Sequence, residues 1–239
     1  LAGSRKAIEK ERNRLVSGIS NIGLTCGQSS ANYLLIECGR DVTSLGKLLS
    51  GAENGNILTF RLDLSDYQKY KKEFLNAVRS WSDGIDILIN TAGLVIVKDF
   101  MDFSPDQARV IMETNFFGPA EVIRTLQPIM KRGSHIVNIS SMGGFQGSMK
   151  YKGLSHYSAS KAALAGLSEC LAGEFREYDI SVNCLALGSV QTEMFEEAFP
   201  GLKADVSAGD MAAYIADFAM RGHKYFNGKV LPVATGNPQ

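Results

Sequence analysis

A tyrosine and a lysine four residues apart, Tyr157 and Lys161, stand near the start of the segment HYSASKAALAGLSECLAGEF. On a helix this spacing places both side chains on one face, about 6 Å apart. A neighbouring ammonium group favours the phenolate and so lowers the pKa of the tyrosine. Bringing that pKa from about 10 to about 7 takes about 4 kcal/mol, which the lysine and a bound cation could share. Such a tyrosine can act as a general acid or base.

Two other tyrosines have a lysine at the same spacing, so spacing alone does not select Tyr157. Tyr67 with Lys71 lies in an amphipathic helix pattern, and Tyr225 with Lys229 spans an Asn-Gly turn signal. We interpret both of these pairs as structural. His156, beside Tyr157, is interpreted as a loop residue and not as a base.

The position of Tyr157 in the predicted fold supports a functional reading. It begins a helix rich in small residues, shortly after an apolar segment that ends in Ser140-Ser141. Open α/β sheets bind ligands at the carboxyl ends of their strands. The sequence therefore predicts a reactive site at this edge of a sheet.

Short apolar segments alternate with longer segments of helical period from about residue 33 onward. This alternation predicts an α/β fold with one doubly wound parallel β-sheet and helices on both faces. The predicted strands are residues 33–38, 56–62, 86–90, 135–140, 180–187 and 229–233.

Two predicted helices have readable amino-terminal signals. Ser65 and Ser104 are each followed by a glutamine three residues later, as in a capping box, and Pro105 suits the first helical position. After Ser65, apolar residues recur at spacings of three and four, which predicts one face packed on the sheet. These core residues are Tyr67, Tyr70, Phe74, Val78 and Trp81.

Composition excludes several classes of protein. The 25 basic and 25 acidic side chains of the 239 residues cancel, so no overall field attracts nucleic acid or an anionic membrane. No apolar segment reaches the 18 to 20 residues that span a bilayer. We expect a small-molecule partner and one domain over residues 1–239, with residues 1–13 as a charged amino-terminal arm.

The cysteines give an expectation about the cellular compartment. They are far apart and form no Cys-x-x-Cys pair, and no histidines cluster near them, which argues against a disulfide framework and against a metal site. We therefore expect a reducing cytoplasm and no bound metal. The four residues are Cys26, Cys38, Cys170 and Cys184.

A series of motifs in residues 56–192 resembles the short-chain dehydrogenase/reductase family, whose members are single-domain Rossmann-fold oxidoreductases. Two of the five motifs depart from the family pattern: Thr91 replaces an asparagine of N-N-A-G, and Leu187 replaces the proline of P-G-x-V-x-T. The motifs are NTAG (90–93), Asn115 in ETNFFG, Ser141 in IVNISSMGG, Tyr157 with Lys161 in YSASK, and LGSVQT (187–192).

The resemblance implies a role for each catalytic position. Tyr157 would donate a proton to a carbonyl being reduced, and Ser141 would hydrogen-bond the same oxygen. Lys161 would hold the nicotinamide ribose and depress the pKa of the tyrosine. Asn115 would fix a water that links the lysine to solvent, and Thr192 would hold the nicotinamide carboxamide.

The segment LVSGISNIGL (15–24) is the predicted dinucleotide loop. The family's first turn reads T-G-x-x-x-G-x-G, whereas this loop is one residue shorter and lacks the middle glycine, which lets the backbone approach the pyrophosphate. Either the loop has diverged, or the sequence lacks residues there. The predicted cradle consists of Gly18, Ser20, Asn21, Ile22 and Gly23.

The end of the predicted strand 33–38, in the sequence ECGRD (37–41), bears on the choice of cofactor. Arg40 stands where NADP-type members place an arginine that pairs with the 2′-phosphate, so NADP(H) is preferred. NAD(H) stays open because Glu37 could bind a ribose hydroxyl if the register were shifted. The other implied cofactor contacts are Asp63, Leu64, Asn90, Ala92, Gly93, Gly188 and Val190, besides Tyr157, Lys161 and Thr192.

Apolar residues in the predicted loops near the site indicate an apolar substrate pocket, although they could equally be packing or lid residues. A ketone or aldehyde, or the corresponding alcohol, is the implied substrate. The pocket residues proposed are Phe145, Met149, Met194 and Phe195, with Gln146 and Phe199 nearby.

The helices predicted at 115–132 and 155–177 are the pair that the family commonly uses in subunit contacts. We therefore expect a homodimer or homotetramer. The leading functional hypothesis is an NADP(H)-dependent oxidoreductase. The alternative is a catalytically weak nucleotide-binding or sensing protein that keeps the fold with a degenerate glycine-rich loop.

Overall fold

A five-stranded parallel sheet lies at the centre of the computed structural model, which describes residues 33–36 and 60–236. The strand order is β1-β2-β3-β4-β7, and every adjacent pair is parallel. A separate small sheet pairs β5 with β6. The strands are β1 (Tyr33–Ile36), β2 (Ile85–Asn90), β3 (Met130–Ser141), β4 (Ser181–Leu187), β5 (Val190–Gln191), β6 (Val206–Ser207) and β7 (Val230–Val233).

Helices cover both faces of the sheet. Alternate strand residues point to opposite faces, so Leu88 and Ile136 pack in one core cluster and Ile87 and Val137 pack in the other. The first cluster is covered by α1 and α3, and the second by α6, as expected for a doubly wound sheet. The α-helices are α1 (Tyr67–Trp81), α2 (Pro105–Met112), α3 (Gly118–Leu126), α4 (Ser155–Glu174), α5 (Glu193–Ala198) and α6 (Ala208–Arg221).

Three local predictions need correction. Residues 60–62 are not in a strand, and residues 56–59 of that predicted strand lie outside the described part of the chain. Ser65 is not the cap of α1; it lies in a 3₁₀ turn whose cap is Asp63, because the Asp63 carboxylate accepts from the Ser65 N–H at 3.0 Å. The helix predicted to reach residue 132 ends at Leu126, and a 3₁₀ turn containing Pro128 leads directly into β3.

The capping box at α2 is confirmed. The Ser104 hydroxyl accepts from the Gln107 N–H at 3.2 Å, and the Gln107 side chain accepts from the Ser104 N–H at 3.1 Å. A π-helical turn, Glu113–Phe117, follows α2 and joins it to α3. Among the helices of the described residues, none has the length and apolarity to cross a bilayer.

His135 lies in the buried part of β3, near the amino end of the sheet. With its proton on Nδ1, the ring donates to the Ala219 carbonyl at 2.8 Å, and Nε2 accepts from the Asn183 amide at 3.0 Å. Burial lowers the pKa of His135 to about 4. The neutral ring is therefore the form that this packing accommodates, and a second imidazole, His223, lies 5.4 Å away between ring centroids.

Candidate active site

Three predicted site residues meet at the carboxyl edge of the sheet, where β3 ends and α4 begins. Ser141 is the last residue of β3, and its hydroxyl accepts from the Gly143 N–H at 3.1 Å. That bond leaves the hydroxyl proton of Ser141 available, and the Ser141 side chain lies near enough to Tyr157 to lower its pKa. Tyr157 and Lys161 lie on the first turns of α4, as their spacing predicted.

The Lys161 ammonium is enclosed by the ends of two strands. Its side chain is buried, and Nζ donates to the Ile139 carbonyl at 2.9 Å and to the Ala92 carbonyl at 3.5 Å. Burial lowers the pKa of Lys161 to about 8, because the charged form loses hydration. The carbonyl dipoles partly replace that hydration, so an ammonium group can still be held in this position.

The protonation of Tyr157 differs from the sequence expectation. Burial raises the pKa of Tyr157 above its usual value of 10, and the hydrogen bond with Ser141 partly offsets this rise. The Lys161 ammonium is directed to strand carbonyls. Tyr157 is therefore a neutral phenol at pH 7 in the protein alone, and this is the form that donates a proton.

Asn115 lies in the π-helical turn with its side chain fully buried and bonded on both sides. Its Oδ1 accepts from the Leu94 N–H at 2.7 Å, and its Nδ2 donates to the Leu94 carbonyl at 2.9 Å and to the Ser160 hydroxyl at 2.9 Å. The side chain thus joins the loop after β2 to α4. Both Nδ2 protons and Oδ1 therefore already have partners within the protein.

Two serines that sequence reasoning missed hold α4 in place. The buried Ser140 hydroxyl donates to the Lys161 carbonyl at 2.8 Å, and the buried Ser160 hydroxyl donates to the Tyr157 carbonyl at 2.7 Å. Ser160 also accepts from Asn115, so it connects the helix turn to the π-helical turn. The adjacent Ser-Ser and Ser-Lys pairs in the motifs are a signal that could have pointed to them.

The glycines after Ser141 allow the loop to cross α4 closely. A Cβ on Gly144 would lie 2.6 Å from the Ala162 nitrogen and 2.6 Å from the Lys161 carbonyl carbon. Both are backbone atoms, so the contact leaves no room for a side chain. This close approach fixes Ser141 relative to the helix that carries Tyr157 and Lys161.

The segment after β2 lies beside the lysine. Gly93 provides space for it, since a Cβ there would lie 3.3 Å from Lys161 Nζ. Ala92 contributes its carbonyl to the ammonium. In contrast, the Asn90 side chain is directed into the sheet, where its amide donates to Asn138 Oδ1 at 2.7 Å. The residue as a whole is 2% exposed, so its side chain is not open to a ligand.

The remaining predicted contacts have local structural partners. The Asp63 carboxylate accepts from the Ser65 hydroxyl at 2.7 Å, and Leu64 packs against Gly118. Thr192 caps α5, with its hydroxyl accepting from the Phe195 N–H at 3.2 Å.

Two further predicted contacts follow β4. Gly188 lies against Ala234, because a Cβ on the glycine would meet the alanine Cβ at 2.6 Å. Val190 pairs with Val206 in the small sheet. The residues after β2, β3 and β4 therefore share one edge of the central sheet.

An open cleft of about 940 Å³ lies beside the amino end of α4, but on a different face of the helix from Tyr157 and Lys161. Its floor is formed by small residues of α4 and by the glycines after Ser141, and Phe145 is the predicted pocket residue that lines it. Met149 and Met194 are exposed elsewhere, and Phe195 is buried. The residues that form the floor are Gly143, Gly144, Ser155, Ser158, Ala159 and Ala162.

Aromatic stacking joins one wall of the cleft to the residue before Tyr157. The His156 ring lies in α4, not in a loop as predicted, and it stacks on Phe100 at 5.5 Å and packs on Phe103 at 4.4 Å between centroids. An ion pair between Lys152 and Asp99 at 2.9 Å closes the same wall. His156 therefore packs against the aromatic side chains Phe100 and Phe103 at this wall of the cleft.

Comparison with protein-family models decides the family. The model described as short chain dehydrogenase matches residues 18–203. The chain belongs to this family. The family assignment made from the motifs is thereby confirmed.

Curated relatives of this short-chain dehydrogenase are longer than the chain. Dehydrogenase/reductase SDR family member 7B of Xenopus laevis is 32% identical over 202 residues, which cover 78% of this chain and 60% of the relative. The protein of the same name from Bos taurus is 30% identical over 192 residues, covering 75% and 58%. The chain thus spans about three fifths of the length of these relatives.

Solved structures support the fold of this short-chain dehydrogenase. A short chain dehydrogenase from Burkholderia cenocepacia, solved in complex with NADP, matches with a TM-score of 0.73 and 22% identity, over 84% of this chain and 85% of the other. A Serratia marcescens short-chain dehydrogenase/reductase matches with a TM-score of 0.71 and 22% identity, over 85% of each chain.

Several predicted cofactor residues lie outside the described part of this family member. These include the whole predicted dinucleotide loop and the residue predicted to select NADP. They are Gly18, Ser20, Asn21, Ile22, Gly23 and Arg40. Among the described residues, no group of three histidine, cysteine or acidic side chains is arranged to hold a metal ion.

Proposed function

We propose that the chain is an NAD(P)(H)-dependent oxidoreductase that interconverts a ketone or aldehyde and the corresponding alcohol. The observation that carries this proposal is the convergence of Ser141 at the end of β3 with Tyr157 and the buried Lys161, which lie one helical turn apart on α4. All three lie at the sheet edge where α/β folds bind ligands.

Tyr157 is the proposed general acid and base. As a neutral phenol, it donates its proton to the carbonyl oxygen when that oxygen becomes negative during reduction. Ser141 has a free hydroxyl proton, since its oxygen is occupied by the Gly143 N–H, and it donates to the same oxygen. In the oxidative direction Tyr157 takes the proton back, which requires its phenolate.

The described residues fit the nicotinamide half of the cofactor, which supplies the hydride when bound. Lys161 provides a buried ammonium beside Gly93, where the missing side chain leaves room for a ligand next to Nζ. We propose that Lys161 binds the ribose hydroxyls and that Thr192 binds the carboxamide, its hydroxyl proton being free while its oxygen caps α5. Asn115 holds the loop after β2 against α4 and so fixes the floor of this site.

NADP(H) is the proposed cofactor, with NAD(H) as the alternative. The preference rests on Arg40, which follows the predicted strand 33–38 and is expected to pair with a 2′-phosphate. The Burkholderia cenocepacia structure was solved with NADP, whereas 4-hydroxyisoleucine dehydrogenase was solved with NADH, so this fold accepts both. The residue-level contacts of Gly18 to Gly23, Asp63, Leu64, Gly188 and Val190 belong to the same proposal.

A homodimer or homotetramer is proposed through the face of α4 that carries small side chains. Ala159 and Ala162 are exposed there, and a Cβ on Gly166 or Gly173 would meet no atom within 4 Å, so another helix could approach closely. One domain and a cytoplasmic location remain predictions from the chain length and the dispersed cysteines.

Cofactor titration tests the proposal. NADPH and NADH are each added to the protein while nicotinamide fluorescence is followed, and a panel of ketones and aldehydes is then screened for cofactor oxidation. We expect saturable binding of NADPH, weaker binding of NADH and turnover of at least one carbonyl compound.

Each other outcome of that titration has a distinct meaning. Tighter binding of NADH than of NADPH would contradict the cofactor preference. If Arg40 carries that preference, Arg40→Ala should bind NADPH and NADH with equal affinity. Absence of saturable binding of either cofactor would overturn the oxidoreductase proposal. Binding without turnover of any compound would favour the nucleotide-binding or sensing alternative.

A further inference from the structure

Three buried polar side chains, Asn90, Asn138 and Ser168, form a hydrogen-bonded row, the polar row, that crosses the sheet beneath the active-site edge. The Asn90 amide donates to Asn138 Oδ1 at 2.7 Å, and the Asn138 amide donates to the Ser168 hydroxyl at 2.9 Å. Ser168 in turn donates to the Leu164 carbonyl at 2.8 Å. The three side chains are at most 2% exposed, and together they link β2, β3 and α4.

The polar row lies directly behind the two carbonyls that accept hydrogen bonds from Lys161. Asn90 and Asn138 are register partners on adjacent strands. One residue beyond Asn138 is Ile139, and two residues beyond Asn90 is Ala92, whose carbonyls both accept from Lys161 Nζ. The Asn90–Asn138 bond therefore fixes the separation of the strand ends at the point where the ammonium bridges them.

The polar row also fixes the position of α4 relative to β3. Ser168 follows Lys161 by seven residues, about two helical turns, so both side chains lie on the same face of the helix. The hydrogen bond from Asn138 to Ser168 and the hydrogen bond from Ser140 to the Lys161 carbonyl attach this face to β3 at two heights. Sliding or rotation of the helix would break both bonds.

A buried thiol completes the polar layer. Cys184 on β4 is the register partner of Asn138, is fully buried and contacts Ser140 and Ser168. Burial raises the pKa of Cys184 to about 11, so it is a neutral group beside the ammonium at pH 7. The layer beneath Lys161 therefore consists of neutral hydrogen-bonding groups.

Buried polar groups are costly unless they are paired, and apolar residues of similar size would pack at lower cost. In the polar row each side chain bonds the next one, so loss of one side chain leaves its neighbour without that hydrogen-bond partner. The free-energy cost of burying these polar groups is therefore incurred at the strand and helix positions next to Lys161.

We propose that Asn90, Asn138 and Ser168 are positioning residues for Lys161, which set where its ammonium lies between the ends of β2 and β3. The inference rests on the proposed function in so far as Lys161 binds the cofactor ribose. The positioning itself is a property of the protein without cofactor, and it can be measured there.

The test compares two buried serines, Ser168 on α4 and Ser134 on β3. Ser168→Ala removes the hydroxyl that Asn138 binds, and Ser168→Thr restores it. Ser134→Ala is the matched control, because Ser134 is also buried and donates to a backbone carbonyl, that of Ile85 at 2.8 Å, far from Lys161. Thermal unfolding of each variant provides the stability reference.

The direct measurement is the NMR titration of the Lys161 side chain in protein labelled with ¹⁵N-lysine, its signal assigned by its loss in Lys161→Met. We expect Ser168→Ala to move the Lys161 titration upward by about half a pH unit or more, as the ammonium gains access to water. NADPH affinity should fall about five- to tenfold. Ser168→Thr should restore both, and Ser134→Ala should lower the unfolding temperature without moving either.

An unmoved Lys161 titration in Ser168→Ala, or an equal shift in Ser134→Ala, would overturn the inference. If Ser168→Ala does not fold, Ser168→Cys keeps a weak acceptor of similar size and is judged by the same titration. A shifted titration together with unchanged NADPH affinity in Ser168→Ala and in Lys161→Met would support the positioning and contradict the proposed role of the lysine.

Discussion

Replacing Gly144 by alanine should separate the Ser141 loop from the helix that carries Tyr157 and Lys161. The added Cβ would lie 2.6 Å from two backbone atoms of α4. Ordinary contact between such atoms is about 3.5 to 4 Å, so the loop and helix must separate by about 1 Å. No flexible side chain can absorb this movement, because the atoms met belong to the backbone of residues 161 and 162.

The expected magnitude follows from this displacement. Overpacking of a tight contact costs about 1–3 kcal/mol of the free energy of unfolding. A displacement of about 1 Å between Ser141 and Tyr157 should lower kcat/KM about 100-fold, since both groups must reach one oxygen. NADPH affinity should change less, because the Cβ on Gly144 would meet the backbone of residues 161 and 162 and not Lys161 Nζ.

Steady-state kinetics, cofactor titration and urea unfolding of Gly144→Ala provide the assay. Gly209→Ala is the control on α6, since a Cβ there would meet only the Ser207 hydroxyl oxygen, at an ordinary contact distance of 3.8 Å. It should keep wild-type kinetics. Wild-type kcat/KM in Gly144→Ala, or an equal loss in Gly209→Ala, would show that the close contact does not position the two groups.

Three further predictions concern other parts of the fold. The pKa of His135 is about 4 in the folded protein and about 6.5 when unfolded, so its contribution is complete above pH 6.5 and about 3 kcal/mol is lost as the pH falls to 4. Urea unfolding should show the stability gap between wild type and His135→Gln narrowing from pH 7.5 to 4.5; a constant gap would contradict this. Ser104→Ala removes the capping box of α2 and should cost about 1 kcal/mol by the same assay, whereas an unchanged midpoint would argue against the cap. Asn115→Ala removes three hydrogen bonds and leaves the Leu94 peptide unpaired, so we expect about 2–4 kcal/mol of destabilisation and at least tenfold weaker NADPH binding. Wild-type affinity in that variant would show that the Leu94 loop does not contribute to the cofactor site.

The sequence predicted the architecture because strands and helices differ in apolar period. Buried strands such as Ser181–Leu187 and amphipathic helices such as Tyr67–Trp81 are readable from single segments. The end of α3 was not, because the turn at Pro128 and the early start of β3 depend on how the chain meets the sheet. The cap was also predicted at the wrong residue, because Asp63 and Ser65 are both polar, lie two positions apart and could each cap the turn; in the structure the Asp63 carboxylate does so.

The site was predictable where its chemistry depends on residue type and spacing. Tyr157, Lys161 and Ser141 lie together because the strand end and the helix start were both readable. The hydrogen bond that ties Asn115 to Leu94 and the bonds of Asn138 were not, because each joins residues more than 20 positions apart. The raised pKa of Tyr157 also required the structure, since it depends on burial.

The proposed function depends most on proton transfer by Tyr157. The most direct measurement is the turnover of the best carbonyl substrate by Tyr157→Phe, with NADPH binding measured on the same sample. We expect NADPH affinity within about threefold of wild type and turnover reduced by about 10³-fold or more. Turnover near the wild-type rate, with the cofactor still bound, would contradict it.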